Sequence, residues 1–342
     1  MFGRNILSSV AVEIGASRTR VFQKNMGEIF SAPTLIAFRK GRPRTDSNIV
    51  CIGEDAHPLI GRAPTSVEVV RPVVNGAIVD TEATVLYINR IMSQAIPGFW
   101  VAKPRIIFAV PSASTLVTRT AFSEVFRNLG CTGVKMVPQH LAVLAGCGVD
   151  FTKRGGTLIV NIGAGSTDVA ITSFGATVAN TSIKIGGDEM NRYIQKFFRR
   201  TRKIDIGDAT VEHVKKEIGC AIYSDNYGTI KTTIRAKCLE TRRSVAVEIS
   251  KNDIAQAIKP VLERISDRIF DAFECVSPEI ASDVLSGCAF LSGGVARMES
   301  IQDYFRSTTA VQFQNLGSQQ SLISSGLLNI LAQPRSFSSY CG

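Results

Sequence analysis

The stretch that decides the fold is Val160-Asn-Ile-Gly-Ala-Gly-Ser-Thr-Asp-Val169. An apolar run from Leu158 to Ile162 enters a bend of small residues, and a second apolar run from Val169 to Ile171 leaves it. This pattern is typical of a β-hairpin. Small residues let a backbone approach an anion and direct successive amide N–H groups at it, as phosphate-binding turns require. The segment therefore predicts a phosphate-binding hairpin, and an ordinary tight turn is the alternative.

An earlier stretch, Ala11-Val-Glu-Ile-Gly-Ala-Ser-Arg-Thr-Arg-Val21, repeats this pattern without a gap. Both copies contain Ile-Gly-Ala followed by a Thr and a Val at equal offsets, with Ile14 and Ile162 148 residues apart. A repeat at this separation indicates two similar halves. Two copies in register predict two facing lobes that hold one polyphosphate between them.

Length and composition describe a globular chain. A chain of 342 residues has room for about two domains, since a domain averages about 150 residues. The 45% apolar and 20% charged content excludes disorder as the main state. No apolar run reaches the about 18 residues of a membrane span, and the N-terminus lacks a signal-peptide pattern. We therefore expect a cytoplasmic protein.

The net charge of +10 favours an anionic partner, which could be a nucleotide, an anionic lipid or a nucleic acid. The basic residues form short runs at 39–44 and 196–203, and a solvated helix face is the favoured interpretation of the second run. Neither run has the aromatic-rich signature of an RNA-binding sheet or a zinc-finger pattern, so no nucleic acid is expected. The eight cysteines form no Cys-x-x-Cys pair, which argues against a zinc site or a disulfide framework.

Other segments predict an α/β fold, because strands alternate with helices. The predicted strands and helices are a strand ending at Val110, a helix over 115–128, a strand over 134–137, a short helix over 138–148, a helix over 186–202 and a strand over 285–291.

Several motifs recur here in the order and spacing of bacterial actins: Glu13 to Thr19, Arg71 to Gly76, Val110 to Ser112, Asn161 to Asp168, Gly186 to Met190, Lys216 to Gly219 and Leu291 to Gly294. The chain most closely resembles the MreB family of rod-shape-determining proteins, from about residue 10 to 331. The resemblance implies the actin-like ATPase fold, with two ribonuclease H-like lobes and a nucleotide cleft that holds ATP and Mg²⁺. It also implies self-assembly into filaments beneath the membrane, which direct cell shape and cell-wall synthesis together with membrane proteins.

The resemblance further implies four subdomains. The expected division is 1–32, 76–148 and 316–342 for the core of the first lobe, 33–75 for its small subdomain, 149–185 and 248–315 for the core of the second lobe, and 186–247 for its small subdomain.

The nucleotide-binding residues implied by the resemblance fall into three groups. The phosphate loops are Gly15, Ala16, Ser17 and Arg18 in the first hairpin, and Gly163, Ala164, Gly165 and Ser166 in the second. Gly186, Gly187, Glu212 and Lys215 are expected near the sugar, and Ser292, Gly293 and Gly294 near the base.

The chain departs from the family at the catalytic positions. Glu13 replaces an Asp that holds the water shell of Mg²⁺, and Asn161 replaces a second Asp, so metal affinity should fall. Arg18 replaces an Asn and could supply part of the missing positive charge. Gln139 stands where the family has the hydrolytic Glu, and an amide can orient a water but cannot take its proton. We therefore expect nucleotide binding with slow or lost hydrolysis.

An aromatic pair, Phe99-Trp100, lies in a predicted loop beside Lys103. Family members insert a short apolar loop from this part of the chain into the bilayer, and Trp suits the membrane interface. The resemblance thus implies contact with an anionic membrane surface and a peripheral location at the inner face of the cell membrane. The alternative is that the aromatic side chains fold back onto the core.

Two other function classes share the fold. A sugar or acetate kinase would need a substrate-binding insertion, for which the chain is short. A chaperone ATPase would need a peptide-binding domain after the second lobe, and only about a dozen residues follow Leu331. A small-molecule kinase remains the alternative function.

Overall fold

The computed structural model describes residues 9–24, 26–96, 98–99, 104–131, 133–149, 155–287, 289–314 and 322–332. The chain forms two compact units, one of residues 1–151 and 319–342 and one of residues 152–318. The expected lobe boundaries, 148/149 and 315/316, lie within three residues of these. Each unit is described by itself below.

Strands and helices alternate along much of the chain. The described strands are β1 (Ser9–Ile14), β2 (Arg18–Gln23), β3 (Gly27–Pro33), β4 (Ile36–Arg39), β5 (Ile49–Ile52), β6 (Val67–Val70), β7 (Val73–Val74), β8 (Ala77–Ile78), β9 (Arg105–Val110), β10 (Val134–Pro138), β11 (Thr157–Ile162), β12 (Thr167–Ser173), β13 (Ala176–Ile183), β14 (Ile204–Asp205), β15 (Lys231–Cys238), β16 (Ser244–Ser250), β17 (Ala289–Ser292) and β18 (Phe313–Gln314). The described helices are α1 (Thr81–Ala95), α2 (Leu116–Asn128), α3 (Gln139–Gly146), α4 (Gly187–Arg202), α5 (Asp208–Ile218), α6 (Lys251–Glu274), α7 (Pro278–Leu285), α8 (Ile301–Thr309) and α9 (Leu322–Ala332).

Each unit contains a five-stranded sheet, and the two sheets have the same topology. The order is β3-β2-β1-β9-β10 in the first unit and β13-β12-β11-β17-β18 in the second. In both sheets the first three strands are antiparallel and the last two run parallel to the third. The sequence repeat is therefore a structural repeat, and the prediction of two similar lobes is confirmed.

Side chains on the central strands alternate between the hydrophobic core and the opposite face of each sheet. In β1, Val10, Val12 and Ile14 belong to the hydrophobic core of the first unit, so Glu13 points away from it. In β11, Leu158, Val160 and Ile162 belong to the core of the second unit, so Asn161 points away from that core in the same manner. Glu13 and Asn161 thus project from equivalent faces of the two sheets.

Most predicted elements occur where the sequence placed them, but the apolar run over 285–291 is not one strand. Helix α7 ends at Leu285, and β17 begins only at Ala289. Gly287 between them has φ +120°, a conformation that ends the helix and that side chains disfavour. Apolar content alone could not separate the end of a buried helix from the start of a buried strand.

Two three-stranded sheets accompany the five-stranded ones. The first, β5-β4-β6, lies in the segment expected for the small subdomain of the first lobe, and the second, β14-β15-β16, occupies part of the second such segment and ends at Ser250. The four-part division itself stays a prediction.

The loop that precedes β9 corrects the expectation for Phe99. Its side chain is 1% exposed and packs in the core of the first unit with residues of α1. The amide of Phe99 donates to the Ile96 carbonyl (3.1 Å), a turn that folds the ring back onto this core. Phe99 therefore cannot contact a membrane in this conformation, because the core already occupies its apolar surface. Trp100 lies outside the described residues.

No helix in the described part of the chain is both long and apolar enough to cross a membrane.

Candidate functional site

The two hairpins that carry the repeat have the same closing geometry. The Gly15 N–H donates to the Arg18 carbonyl (3.0 Å), and the Gly163 N–H donates to the Ser166 carbonyl (2.9 Å). A Cβ on Gly15 would lie 2.9 Å from the Arg18 carbonyl oxygen, so the first turn leaves no room for a side chain. The tight turns predicted from the small residues are therefore present in both units.

The amides inside these turns are available to a ligand. Within the described ranges, no hydrogen-bond acceptor is found for the amides of Ala16, Ser17, Ala164, Gly165 and Ser166. Successive backbone N–H groups of this kind form anion-binding concavities. Each hairpin can thus bind an anion such as a phosphate group.

Thr34 supports the first hairpin from behind. Its hydroxyl donates to the Gly15 carbonyl (2.7 Å), its amide donates to the Ser17 carbonyl (3.0 Å), and its hydroxyl lies 3.0 Å from that of Thr19. Because Thr19 and Thr34 are both fully buried, these bonds are protected from water. The loop backbone is therefore fixed by the residue that follows β3.

The start of α4 supports the second hairpin in the same way. The amides of Gly187 and Asp188 donate to the Gly163 and Ala164 carbonyls (3.0 and 2.8 Å). A Cβ on Gly186 would lie only 2.5 Å from the Gly163 carbonyl oxygen, so this close backbone approach requires glycine. Gly186 and Gly187, expected near the sugar, thus contact the phosphate loop itself.

Glu212 and Lys215 of α5 form a half-buried ion pair next to this loop. The Lys215 ammonium donates to Glu212 Oε2 (2.7 Å) and to the Gly187 carbonyl (2.9 Å), which connects α5 to the start of α4. Burial acts to raise the pKa of Glu212, but Lys215 and hydrogen bonds from Asn191 and Lys216 lower it to about 2. Glu212 is therefore ionised at neutral pH and can accept hydrogen bonds, such as those of a ribose.

The Ser292-Gly293-Gly294 turn follows β17, which pairs with β11 so that Ser292 lies opposite Asn161. Gly293 has φ +92°, and a Cβ there would lie 2.2 Å from the Ile162 carbonyl oxygen. Only glycine fits this position. The second unit thus contains the residues that the sequence assigned to the second phosphate loop, the sugar and the base.

Glu13 is held by two groups that the sequence interpretation missed. Arg20 lies directly opposite in the β1–β2 register, with Nη1 3.3 Å from Glu13 Oε2, and the Ser324 hydroxyl of α9 also donates to that oxygen. Arg20 could have been found from the sequence: a turn closed by Gly15 and Arg18 pairs Ile14 with Thr19, and Glu13 with Arg20.

Arg18 does not supply the cation beside Glu13. Its guanidinium donates to Glu54 Oε1 (2.9 Å) and to the Ser31 hydroxyl (3.1 Å), and the side chain is 38% exposed. The role of Arg18 beside a phosphate stays a prediction, and the carboxylate that it contacts lies between β5 and β6 of the small sheet.

Asn161 lies opposite Asp168 in the β11–β12 register, and both are buried. These positions are equivalent to Glu13 and Arg20 in the first hairpin. The first hairpin thus carries a carboxylate and a guanidinium whose charges cancel, and the second carries an amide and a carboxylate.

Gln139 is the first residue of α3 and is partly buried. The next residue, His140, donates its amide to the Ser112 hydroxyl (3.2 Å). Burial, together with the nearby Arg119 charge, lowers the pKa of His140 to about 4, so its ring is neutral at pH 7. Gln139 can orient a water through its amide, but no titratable base stands at this position.

The hairpins offer few charged side chains to a Mg²⁺ ion. Among the described residues no cluster of three or more His, Cys, Asp or Glu side chains could hold a metal. Glu13 is already neutralised by Arg20, and Asn161 brings no charge. The second hairpin still carries the carboxylate of Asp168 opposite Asn161, and Mg²⁺ binding stays a prediction.

Comparisons with known proteins agree with this geometry. The family model described as MreB/Mbl protein matches residues 7–338. The cell shape-determining protein MreB of Escherichia coli K12 is 28% identical over 305 residues, which cover 89% of this chain and 87% of that protein. The cell shape-determining protein Mbl of Bacillus subtilis is 24% identical, over 88% of this chain and 87% of that protein.

Two solved structures share the fold. MreB5 of Spiroplasma citri bound to AMPPNP superposes with a TM-score of 0.89 at 24% identity, and covers 98% of this chain and 99% of its own. The MamK double helical filament superposes with a TM-score of 0.78 at 15% identity, over 95% of this chain and 99% of its own.

Proposed function

The chain belongs to the MreB/Mbl family, and on this premise we propose that it binds ATP and self-assembles into cytoskeletal filaments that direct cell shape. The observation that carries the proposal is the pair of hairpins closed by equivalent glycine hydrogen bonds of 3.0 and 2.9 Å. The turn amides, for which the described residues offer no acceptor, supply donors for phosphate oxygens.

In this proposal the hairpin amides bind the phosphates, Glu212 accepts hydrogen bonds from the ribose, and the turn at Gly293 lies flat against the base. The nucleotide-bound titles of the Spiroplasma citri structures, with AMPPNP and with ADP, support this assignment. A metal ion would be held weakly at Glu13, since this carboxylate is paired with Arg20.

Self-assembly is proposed from the relatives. MreB and Mbl are cell shape-determining proteins, and the MamK structure is a filament. We further propose that the filaments lie at the inner face of the cell membrane and act with cell-wall synthesis proteins. The net charge of +10 supports contact with anionic lipid.

Nucleotide binding is tested with Gly163→Val. A Cβ at Gly163 would already lie 3.2 Å from the Ser166 carbonyl oxygen, and the valine methyl groups would enter the phosphate loop. We expect ATP affinity to fall at least about tenfold. Gly207→Val is the matched control, because a Cβ there meets nothing within 4 Å. If Gly163→Val binds ATP with unchanged affinity, this hairpin is not part of the nucleotide site.

Filament formation is tested by electron microscopy of the purified chain with ATP, in parallel with phosphate release. We expect filaments and slow phosphate release. Release of ADP that depends on an added sugar, without filaments, would favour the kinase function instead.

Slow hydrolysis is attributed to Gln139 and Asn161. Gln139→Glu supplies a base for the attacking water, and Asn161→Asp restores a carboxylate. The double variant should release phosphate faster than the wild type. No increase, with nucleotide binding retained, would show that these two positions do not limit the reaction.

Membrane contact is tested at Trp100 alone, since Phe99 belongs to the core. Trp100→Ser should reduce co-sedimentation with anionic liposomes and leave nucleotide affinity unchanged. Undiminished liposome binding would show that Trp100 is not an anchor.

A further inference from the structure

Strand β16 (Ser244–Ser250) is an open edge of the small sheet in the second unit. It pairs with β15 without a register shift, and among the described residues no strand lies on its other side. Only Glu248 in it is charged, and it contains no proline. Proteins usually protect such an edge with a short strand, a bulge, a lysine or a proline, because its free peptide groups can pair with another chain.

The other edge strands of the described sheets carry these protections. A register shift interrupts the pairing of β3, β5 and β13 with their neighbours. Strand β10 contains Lys135 and ends in Pro138, and β6, β14 and β18 are only two to four residues long. Within the described ranges, β16 is therefore the one edge of a larger sheet that is long, regular and nearly uncharged.

The alternation of hydrogen bonds shows which peptide groups face the open edge. The Cys238 amide donates to the Arg243 carbonyl (2.9 Å), so these two residues form a bonded pair at the end of the β15–β16 ladder. Bonded and non-bonded pairs alternate in an antiparallel ladder. The residues whose N–H and C=O groups point away from β15 are therefore Ser244, Ala246 and Glu248. All three are exposed, and within the described part of the chain only the Glu248 carbonyl has a partner, the Arg202 guanidinium (2.5 Å).

The exposed face of this sheet is basic beside the open edge. The cations there occupy alternate positions of β15 and are Lys231, Arg235 and Lys237. Lys231 bonds Glu248 (3.1 Å), and Asp205, which lies opposite Lys237, is bonded to Arg199 instead (2.7 Å). The described residues thus provide no ion-pair partner for Arg235 or Lys237.

A further strand on this edge would meet these two cations. Arg235 lies opposite Ala246 and Lys237 opposite Ser244, and both edge residues are small. An added strand would lie roughly 10 Å from β15, a span that a long basic side chain and a carboxylate can bridge together. Its intervening residues would lie beside Val245 and Val247, which are half-buried on the other face of the sheet. The edge therefore fits a strand in which acidic and apolar residues alternate.

We propose that β16 binds an extended segment of a partner protein, in which acidic and β-branched residues alternate, as a fourth strand of this sheet. Backbone hydrogen bonds supply the affinity, and Arg235 and Lys237 select the acidic side chains. A second copy of this chain fits the edge less well, because two basic sheet faces would then lie side by side. The inference is independent of nucleotide binding, since all of its residues belong to the small sheet.

The test measures binding of a short, capped fluorescent peptide of alternating Glu and Val to the full chain by anisotropy, at about 0.15 M salt. A peptide of the same composition with Glu and Val in separate blocks is the control. We expect the alternating peptide to bind at least about tenfold more tightly, and N-methylation of its Glu residues to remove this advantage. Equal binding of the alternating and block peptides, or no binding of either, overturns the proposal.

Ala246→Pro assigns binding to the edge. Proline removes an N–H that points away from β15, so the sheet keeps its internal bonds while the edge loses its central donor. We expect peptide affinity to fall about tenfold. Unchanged affinity would contradict the proposal, and the peptide comparison decides it even if this variant does not fold.

A charge comparison tests the selection of acidic residues. Arg235→Gln with Lys237→Gln should weaken peptide binding about tenfold. Arg242→Gln with Arg243→Gln removes the same charge from the β15–β16 turn and is the matched control. Equal losses in the two double variants would contradict selection by the sheet face. Sedimentation of the chain alone completes the test: a dimer that Ala246→Pro abolishes would assign the edge to a second copy and overturn the proposal.

Discussion

Replacing Gly326 with alanine tests how α9 is held against the first unit. In an isolated helix this change favours folding by about 1 kcal/mol, because glycine is a poor helix former. In this structure an added Cβ would lie 1.7 Å from the Ala142 carbonyl oxygen and 2.9 Å from the Gly146 nitrogen of α3. The two expectations have opposite signs, so the measurement separates local propensity from tertiary packing.

The size of the effect follows from the contact. Ordinary van der Waals contact begins at 3.4 Å, so α9 must move away from α3 by about 1.7 Å. Leu327 and Ile330, both buried, would lose packing as α9 moves. Overpacking of this kind costs about 1–3 kcal/mol, and more where backbone blocks the new atom. We expect a net loss of about 2 kcal/mol after the gain in helix propensity is subtracted.

The assay is thermal unfolding followed by circular dichroism. For a unit of roughly 175 residues, a loss of about 2 kcal/mol lowers the midpoint by about 4–8 °C. Gly207→Ala is the control, because its Cβ would enter open space and its φ of −68° suits any residue. A midpoint that stays constant or rises in Gly326→Ala would refute the close crossing of α3 and α9.

Three further predictions follow from single sites. His140 takes up a proton at about pH 4 in the folded chain but near pH 6.5 when unfolded, so its contribution to the unfolding free energy is full above pH 6.5 and is lost as the pH falls towards 4. Urea unfolding measured against pH should show this slope, and His140→Asn should flatten it. Phe99→Ala should lower the unfolding free energy by about 3–5 kcal/mol, and an unchanged urea midpoint would contradict its burial. Gly186→Ala should weaken nucleotide binding about tenfold in a fluorescence titration, whereas equal affinity would show that the 2.5 Å approach to Gly163 is unnecessary.

Local features were predictable from the sequence. The hairpins at Gly15 and Gly163 were found because their turns depend on consecutive small residues, and α2 was found because its segment is amphipathic. Family motifs then assigned Glu212 and Lys215 to one site, and in the structure Lys215 bonds both Glu212 and the Gly187 carbonyl.

The errors arose where distant residues decide the outcome. The family motif drew attention to Arg18 and not to Arg20, although the cross-strand register places Arg20 beside Glu13. The contact of Ser324 with that carboxylate joins residues 311 positions apart, which no local pattern reveals. Phe99 was interpreted as a loop tip, although burial of an aromatic ring offers enough free energy to fold a short loop inwards.

The residues that fix each phosphate loop also lie just before a strand of a small sheet in the sequence. Thr34 bonds the first loop and stands two residues before β4, while α4 bonds the second loop at its first turn and leads directly into β14. Any ligand that tightens a loop therefore pulls on backbone that is continuous with a small sheet, through hydrogen bonds of 2.7 to 3.0 Å. If a nucleotide binds at these loops as proposed, the small sheets are thus the parts of each unit that the loss of a terminal phosphate would reach first along the backbone.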